Sequence, residues 1–103
     1  MIAIASDHAG FPLKEEIKKF LEEKNIEFID CGAHSTDSVD YAKFAQIACL
    51  KVTEGYADKA ILCCGTGIGI SIAANKVKGI RAAVVCNEFG AEMTRRHNNS
   101  NIL

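Results

Sequence analysis

A cysteine followed at once by three alternating glycines is the segment of this 103-residue sequence best suited to chemistry. Residues 64–69 read Cys-Gly-Thr-Gly-Ile-Gly, and the apolar run that they follow is typical of a buried strand. Small residues at 71–75 predict a helix after the glycines. Backbone N–H groups in the first turn of such a helix lack partners and stabilise negative charge. We therefore expect Cys64 to be a thiolate base or nucleophile near neutral pH, beside a place for an oxyanion.

The other cysteines give no sign of a disulfide framework or a zinc site. The five are Cys31, Cys49, Cys63, Cys64 and Cys86. An odd number, without a Cys-x-x-Cys pair or a His/Cys spacing suited to zinc, predicts reduced thiols. Cysteine is among the most buried residue types, so we expect Cys31, Cys49 and Cys86 in the core. Adjacent strand residues point to opposite faces, so Cys63 packs beneath a helix while Cys64 lies beside the glycines.

The composition predicts one α/β domain that spans residues 1–103. Hydrophobic residues make up 49% of the chain and the mean hydropathy is +0.07, which suits a single core. A formal net charge of −1 and a pI of about 6.3 leave no basic surface for nucleic acid. Neither a signal peptide nor a membrane span is predicted. We expect a soluble cytoplasmic protein that does not bind a membrane.

Strand-like runs and amphipathic segments alternate along the chain. The predicted strands cover residues 2–5, 27–31, 60–64 and 80–85, and the last residues begin a fifth. The first helix places Leu13, Ile17, Phe20 and Leu21 at helical spacing, with Glu and Lys on the other face. Strands joined by helical crossovers run parallel. The order predicts a Rossmann-like, doubly wound, three-layer α/β fold with about five parallel strands.

Three polar residues are placed to begin or end the later helices. Asp40 precedes the second helix and can cap it, and Gly55 can end that helix. Asn87 can cap the fourth helix in the same way.

Ligands of doubly wound sheets bind beyond the carboxyl ends of the strands. Asp7 and His8 follow the first predicted strand and Cys64 follows the third, and we expect His97 and Asn98, after the fourth helix, to join them. Two of these residues also suit a purely structural role. Asp7 also suits a turn or a helix cap, and His97 also suits the negative end of a helix.

Three known phosphate-binding or signalling patterns do not fit the glycine segment. The glycines give G-x-G-x-G, whereas a dinucleotide fingerprint needs G-x-G-x-x-G after the first strand. A P-loop needs a lysine after the last glycine, and this chain has Ile70 there. A phospho-receiver domain needs a carboxylate where this chain has Cys64.

Several motifs in order along the whole chain resemble ribose-5-phosphate isomerase type B, in the family that includes galactose-6-phosphate isomerase. They are Ser6-Asp7-His8-Ala9-Gly10, Asp40-Tyr41, Cys64 to Ser71, Ala73-Ala74-Asn75-Lys76 and Arg96-His97-Asn98-Asn99. The resemblance implies an aldose–ketose isomerase of carbohydrate metabolism, in the pentose phosphate pathway. It implies no metal or organic cofactor, and a homodimer or a dimer of dimers whose sites are completed across the dimer interface.

The resemblance also implies a role for each residue of the site. Cys64 would take the proton from C2 of open-chain ribose 5-phosphate and return it at C1, which gives ribulose 5-phosphate through an enediolate. His97 would assist ring opening with Asp7 nearby. The expected oxyanion cradle consists of Gly65, Thr66, Gly67 and Gly69. The expected substrate contacts are His8 at the phosphate, Asn98 at the enediolate, and Asp40, Tyr41 and Ser71 in the pocket.

Some questions stay open at the level of the sequence. The substrate is also compatible with allose 6-phosphate or galactose 6-phosphate, and a non-catalytic sugar-phosphate-binding module would keep the same pocket. Some relatives have a glycine in place of the cysteine and use a nearby glutamate, which Ile70, Ser71 and Ile72 do not supply. Family members also continue for several tens of residues beyond Leu103, with a last helix and phosphate-binding arginines. We therefore expect a domain that lacks its C-terminal portion, with impaired folding or an altered oligomer and little activity.

Overall fold

The computed structural model of the chain describes all residues, 1–103, and contains three strands and four helices. In chain order they are β1 (Ile2–Ser6), α1 (Phe11–Glu23), β2 (Phe28–Asp30), α2 (Tyr41–Thr53), β3 (Lys59–Cys63), α3 (Ile68–Asn75) and α4 (Glu88–Asn98). The strands form a parallel sheet in the order β2-β1-β3. This confirms the α/β alternation predicted from the sequence. No helix combines the length and the apolar character that a membrane crossing needs.

Two of the five expected strands are reduced to single bridged residues. Ile102 pairs in parallel with Ala60 of β3 on one side and with Ala82 on the other. Five chain segments therefore lie side by side, although only three are strands. On the edge of Ala82 that faces away from Ile102, the Asn75 side chain accepts from the Ala82 N–H at 2.9 Å and donates to the Ala82 carbonyl at 3.0 Å. An amide side chain thus takes the place of a neighbouring strand at that residue.

The main core lies between one face of the sheet and the helices α2 and α3. Ala3, Ala5, Ala60 and Leu62 alternate along the strands and pack in one cluster with the buried faces of these helices. Alanine side chains keep the strands close to the helices. Ala45, Ala48 and Ala74 continue this small-residue packing from the helical side.

The opposite face of the sheet is covered by α1, and here the amphipathic prediction is partly wrong. Leu21 is buried as expected, but Leu13 and Phe20 are 56% and 53% exposed, and Lys14 is completely buried. The exposed residues line a groove of about 370 Å³ that runs between α1 and residues 82–85. Nearly all of its lining is apolar, so it offers few polar groups to a sugar phosphate.

The predicted helix ends are confirmed. Asp40 caps α2 by accepting a hydrogen bond from Ala42 N–H, and Asn87 caps α4 by accepting from Gly90 N–H at 2.8 Å. Gly55 follows the end of α2 with φ of 83°, a value that favours glycine. The two caps mark where the loops at the carboxyl edge of the sheet end, and Gly55 begins the connection to the amino end of β3.

Candidate active site

Cys64 lies directly after β3, at the carboxyl edge of the sheet. It is partly exposed, whereas its neighbour Cys63 is 4% exposed and packs on the α1 side, as the alternation of strand side chains predicted. The Gly67 N–H donates to the Cys64 Sγ at 3.2 Å. The turn after the strand therefore folds back over the sulfur and fixes its direction.

The glycine turn presents free N–H donors beside that sulfur. Gly67 precedes α3 with φ of 80°, a left-handed conformation that glycine adopts without strain. No acceptor within the chain pairs with the N–H groups of Gly65, Thr66, Gly69 or Ile70. The helix begins at Ile68, earlier than the predicted 71–75, so the donors belong to its first turn and the loop before it. Such a group of donors can stabilise an oxyanion.

Gly69 is a close-packing position against Tyr41. A Cβ atom at Gly69 would lie 2.9 Å from Tyr41 Cε1 and 3.2 Å from its hydroxyl oxygen. The aromatic ring therefore lies over the first turn of α3. Tyr41 is 38% exposed, so its hydroxyl borders the glycine turn from the side of α2.

The turn that contains Asp7 packs against the backbone of Cys64. Asp7 N–H donates to the Cys63 carbonyl at 3.1 Å, and a Cβ atom at Gly10 would lie 2.7 Å from Cys64 N. Asp7 is 8% exposed, and its carboxylate accepts from Gly10 N–H at 2.8 Å. The structure thus brings Asp7 close to Cys64 and also gives it the turn-forming contact that was the alternative expectation.

His8 connects the same turn to the loop before α2. Its Nδ1 accepts a hydrogen bond from Val39 N–H at 3.2 Å. The neutral ring therefore carries its proton on Nε2, which leaves that nitrogen as a donor. His8 is partly exposed.

Three other predicted site residues make local contacts. The Asp40 carboxylate is the cap of α2, and the Thr66 hydroxyl accepts from Ile68 N–H at 3.1 Å in the same capping manner. The Ser71 hydroxyl donates to the Ile68 carbonyl at 2.8 Å, and Ser71 lies on the wall of the apolar groove. Their hydroxyl and carboxylate groups hold helix ends.

The structure does not bring His97 and Asn98 to Cys64 within one chain. Helix α4 ends at Asn98, and Asn101 then enters the sheet, where its carbonyl accepts from Ala60 N–H. Ala60 is four residues before Cys64 along the strand, or about 13 Å at 3.3 Å per residue. The expectation that the two residues converge with Cys64 is wrong for a single chain, because a helix that follows a parallel strand returns toward the amino edge of the sheet.

A buried lysine near this site was not anticipated from the sequence. The Lys14 ammonium is 0% exposed and donates to Asp30 Oδ1 at 2.7 Å and to the Ala33 carbonyl at 2.6 Å. Lys18 donates to Asp30 Oδ2 at 2.7 Å. The helical pattern assigned both lysines to the solvent side. Side chains of a helix point back over its preceding turn, and only this tilt of the α1 side chains toward β2 could have indicated the burial.

This contact set changes the titration of Asp30. Burial by itself raises the pKa of its carboxyl, but the hydrogen bonds from Lys14, Lys18 and the Gly32 N–H outweigh it and lower the pKa to about 2. The hydrogen bond to Asp30 also raises the pKa of Lys18. Asp30 and Lys18 are therefore both charged near neutral pH.

The other cysteines are mostly buried, as expected, except for Cys86. Burial raises the pKa of Cys49 and of Cys63 to about 11, which keeps these thiols protonated. Cys86 is exposed, so its expected place in the core is wrong. It lies between the bridged residue Ala82 and α4, beyond the last sheet pairing. No three His, Cys, Asp or Glu side chains come together in a way that could hold a metal ion.

Comparisons with known proteins match almost the whole chain. The family model described as Ribose/Galactose Isomerase matches residues 2–103. Ribose-5-phosphate isomerase B of Escherichia coli strain K12 is 48% identical over 102 residues, covering 99% of this chain and 68% of the relative.

Solved structures of proteins with the same name also match the chain. Ribose-5-phosphate isomerase B of Clostridium thermocellum superposes with a TM-score of 0.98 at 53% identity, covering 99% of this chain and 69% of that one. The Thermotoga maritima protein gives 0.97 at 51% identity, with 99% and 70% covered. The fold and the sequence point to the same relatives.

Proposed function

The chain belongs to the ribose/galactose isomerase family, and we propose that it interconverts ribose 5-phosphate and ribulose 5-phosphate with Cys64 as the base. The observation that carries the proposal is the position of the Cys64 sulfur next to free backbone donors. An aldose–ketose isomerase needs a base at the C1–C2 edge of the sugar and donors where the oxygen becomes negative. Both are found after β3.

The proposed reaction is a proton transfer between adjacent carbons. The Cys64 thiolate removes the proton from C2 of the open-chain aldose, and the C2–H electrons form the enediolate double bond while charge develops on the oxygen at C1. Return of the proton to C1 gives the ketose. The proton from the C2 hydroxyl moves to the C1 oxygen, so no atom is gained or lost.

The glycine turn supplies the electrostatic part of the mechanism. The N–H groups of Gly65, Thr66 and Gly69 have no acceptor in the chain and are therefore available to the enediolate oxygens. The Gly67 N–H is directed at the sulfur and can solvate it while it is negatively charged. Fixed donors of this kind need no rearrangement as the charge develops.

Substrate binding is assigned to the loops around the turn. His8 has Nε2 as its free donor because its Nδ1 is occupied by Val39 N–H, so it can donate to a phosphate oxygen. Tyr41 borders Gly69 and limits the width of the site. In this proposal Asp7 acts through the turn that it closes on Gly10.

A second copy of the chain completes the site in this proposal. His97 and Asn98 lie near the amino edge of their own sheet, so they serve ring opening and the enediolate only from a partner subunit. The histidine near the end of α4 is exposed and is therefore available to another protomer. A homodimer with sites across its interface is the simplest such arrangement.

The test is solvent isotope exchange at the sugar carbons. We expect the folded chain, incubated with ribose 5-phosphate in D₂O with a metal chelator, to form ribulose 5-phosphate and to incorporate deuterium, since the base exchanges its proton with solvent. Deuterium incorporation is measured because it detects even slow turnover. Cys64→Ala should lower the rate by at least about 10³-fold, because the base is lost. The matched control is Cys86→Ala, which removes an exposed thiol after the sheet.

Three outcomes have distinct meanings. Exchange that is lost in Cys64→Ala and kept in Cys86→Ala supports the proposal. Turnover of allose 6-phosphate or galactose 6-phosphate but not of ribose 5-phosphate would mean that the chain is an isomerase with a different sugar phosphate as its substrate. A folded wild-type chain that binds these sugars without any exchange would be a binding module, and the proposal would be wrong.

A further inference from the structure

Lys14 is a buried ammonium whose partners lie on two different segments. It is 0% exposed, and its Nζ donates both to the Asp30 carboxylate and to the Ala33 carbonyl. The Phe11 ring lies 5.3 Å from the ammonium and covers it further. Burial of an ammonium is costly unless it is paired and hydrogen-bonded, so this arrangement calls for an explanation.

Neutralisation of Asp30 does not by itself explain it. Lys18 already donates to the second carboxylate oxygen at 2.7 Å and stays 23% exposed, which makes its desolvation cheaper. Buried ion pairs are also poor evidence of stabilisation, because desolvation offsets their attraction. What Lys14 adds beyond Lys18 is the hydrogen bond to the Ala33 carbonyl, in the loop after β2.

That loop is hydrogen-bonded to the end of β1. Ala33 N–H donates to the Ser6 carbonyl at 2.8 Å, and Ser6 N–H donates to the Gly32 carbonyl at 2.7 Å. Ser6 immediately precedes Asp7 and His8. A shift of Ala33 is therefore transmitted directly to the backbone that carries the candidate site residues.

The far end of the same loop returns to His8. Val39 N–H donates to His8 Nδ1, and α2 begins two residues later at Tyr41, whose ring lies over Gly69. The loop is thus held at Ala33 by Lys14 and at Val39 by the histidine. Between these points residues 34–38 are exposed and supply no comparable support.

We propose that Lys14 is a positioning residue that fixes the loop of residues 31–40 and, through it, the orientation of His8 and Tyr41 at the sugar-phosphate site. The proposal rests on the proposed function for its kinetic consequences. Its structural consequence, a loosened loop when Lys14 is removed, does not depend on that function.

The experiment compares Lys14→Met with Lys18→Met. Both variants remove one ammonium from Asp30 and leave the other, but only Lys14→Met removes the donor to Ala33. We expect amide hydrogen exchange at Ala33 and Val39 to become at least about tenfold faster in Lys14→Met, while amides of β3 keep their rates, because a local opening is favoured. In Lys18→Met the same two amides should change by less than about twofold.

Kinetics separate positioning from a general loss of stability. We expect the KM for ribose 5-phosphate to rise about tenfold in Lys14→Met with kcat changed less than about twofold, because Lys14 supports binding groups and touches no reacting atom. Lys18→Met should keep both parameters near the wild-type values.

The outcomes are distinguishable from failure of the proposed function. Unchanged exchange at Ala33 and Val39 in Lys14→Met, or equal acceleration in both variants, overturns the proposal even if the enzyme is active. If the wild-type chain does not isomerise any of the sugars, the proposed function fails and the exchange data still decide the role of Lys14. If Lys14→Met does not fold, the same measurements on Lys14→Gln, whose neutral side chain is one bond shorter than that of lysine, take its place.

Discussion

At the scale of single residues, the Cys64 sulfur is positioned by contacts of neighbouring backbone. Gly67 N–H donates to the sulfur, and the Gly10 backbone packs against the Cys63–Cys64 peptide. At both positions the absence of a side chain lets the main chain lie closer to Cys64 than a larger residue would allow. The sequence indicated the first of these glycines through the turn, but Gly10 is 54 residues from Cys64 and its contact follows only from the fold.

Gly10→Ala is expected to damage the site directly. Its Cβ would overlap the Cys63 carbonyl group and lie 2.7 Å from Cys64 N, so the strand end must shift. We expect a loss of about 1–3 kcal/mol of unfolding free energy, as for other overpacked sites, and a larger loss of isomerase activity. Urea denaturation monitored by circular dichroism measures the loss of unfolding free energy.

Gly65→Ala is the matched control for stability. A Cβ there would meet only the Ala9 Cβ, at an ordinary 3.7 Å. Its unfolding free energy should stay within about 1 kcal/mol of the wild-type value. Equal destabilisation by the two alanines would contradict the packing argument for Gly10.

At the scale of elements, α1 is joined to β2 by charge as well as by apolar packing. Lys14 and Lys18, one turn apart on α1, donate to the two oxygens of Asp30 at the end of β2. Apolar α1 residues such as Leu13 and Phe20 remain largely exposed. The ionic contact therefore joins this helix to the sheet alongside the buried Leu21.

Acid is expected to weaken this contact in a defined pH range. The folded-state pKa of Asp30 is about 2, below its usual 3.8, so the unfolded chain binds a proton first as pH falls. The stabilising contribution is complete above about pH 4, declines between pH 4 and pH 2, and is absent below both pKa values. Thermal unfolding at pH 5, 4, 3 and 2 measures this decline.

Asp30→Asn provides the comparison for the acid measurement. It removes the titrating group, so its melting temperature should be lower at pH 5 but fall less steeply between pH 4 and pH 2. Parallel curves for the wild type and Asp30→Asn would show that Asp30 does not account for the acid sensitivity of the domain.

The later elements show a similar division between local and distant contacts. Asp40 and Asn87 were assigned as helix caps from their place before helical segments, and both make the capping bond. The strand pattern at residues 80–85 was equally clear, yet only Ala82 is bridged. Whether an apolar run becomes a strand depends on which neighbours pair with it. Here Ile102 bridges one edge of Ala82, and the Asn75 side chain pairs with the other edge in place of a further strand.

At the scale of the whole molecule, the topology separates the two ends of α4. Asn87 caps the helix beyond the carboxyl end of the segment around Ala82, and Asn98 ends it where Asn101 enters the sheet beside Ala60. Residues near the start and the end of α4 therefore serve different edges of the sheet. The proposed site consequently needs a second protomer for His97.

Mixing two inactive variants is expected to restore activity. In a dimer formed by one Cys64→Ala chain and one His97→Ala chain, one of the two sites has both Cys64 and His97. Random exchange of protomers makes about half of the dimers mixed, so about a quarter of wild-type activity should return. The isotope-exchange assay on the mixture, with each variant alone as control, measures it. Activity of the mixture equal to the sum of the separate variants would place His97 in the same chain as Cys64, or outside the reaction.

The sequence by itself determined the alternation of strands and helices, the helix caps, the glycine turn after Cys64 and the family resemblance. These depend on residues close together in the chain, whose spacing reflects backbone geometry. Only the tertiary structure decided that Lys14 is buried, that Gly10 lies against Cys64 and that His97 lies away from Cys64. Each of these depends on which segments become neighbours in the sheet, and strand pairing over long separations is not encoded in any local pattern.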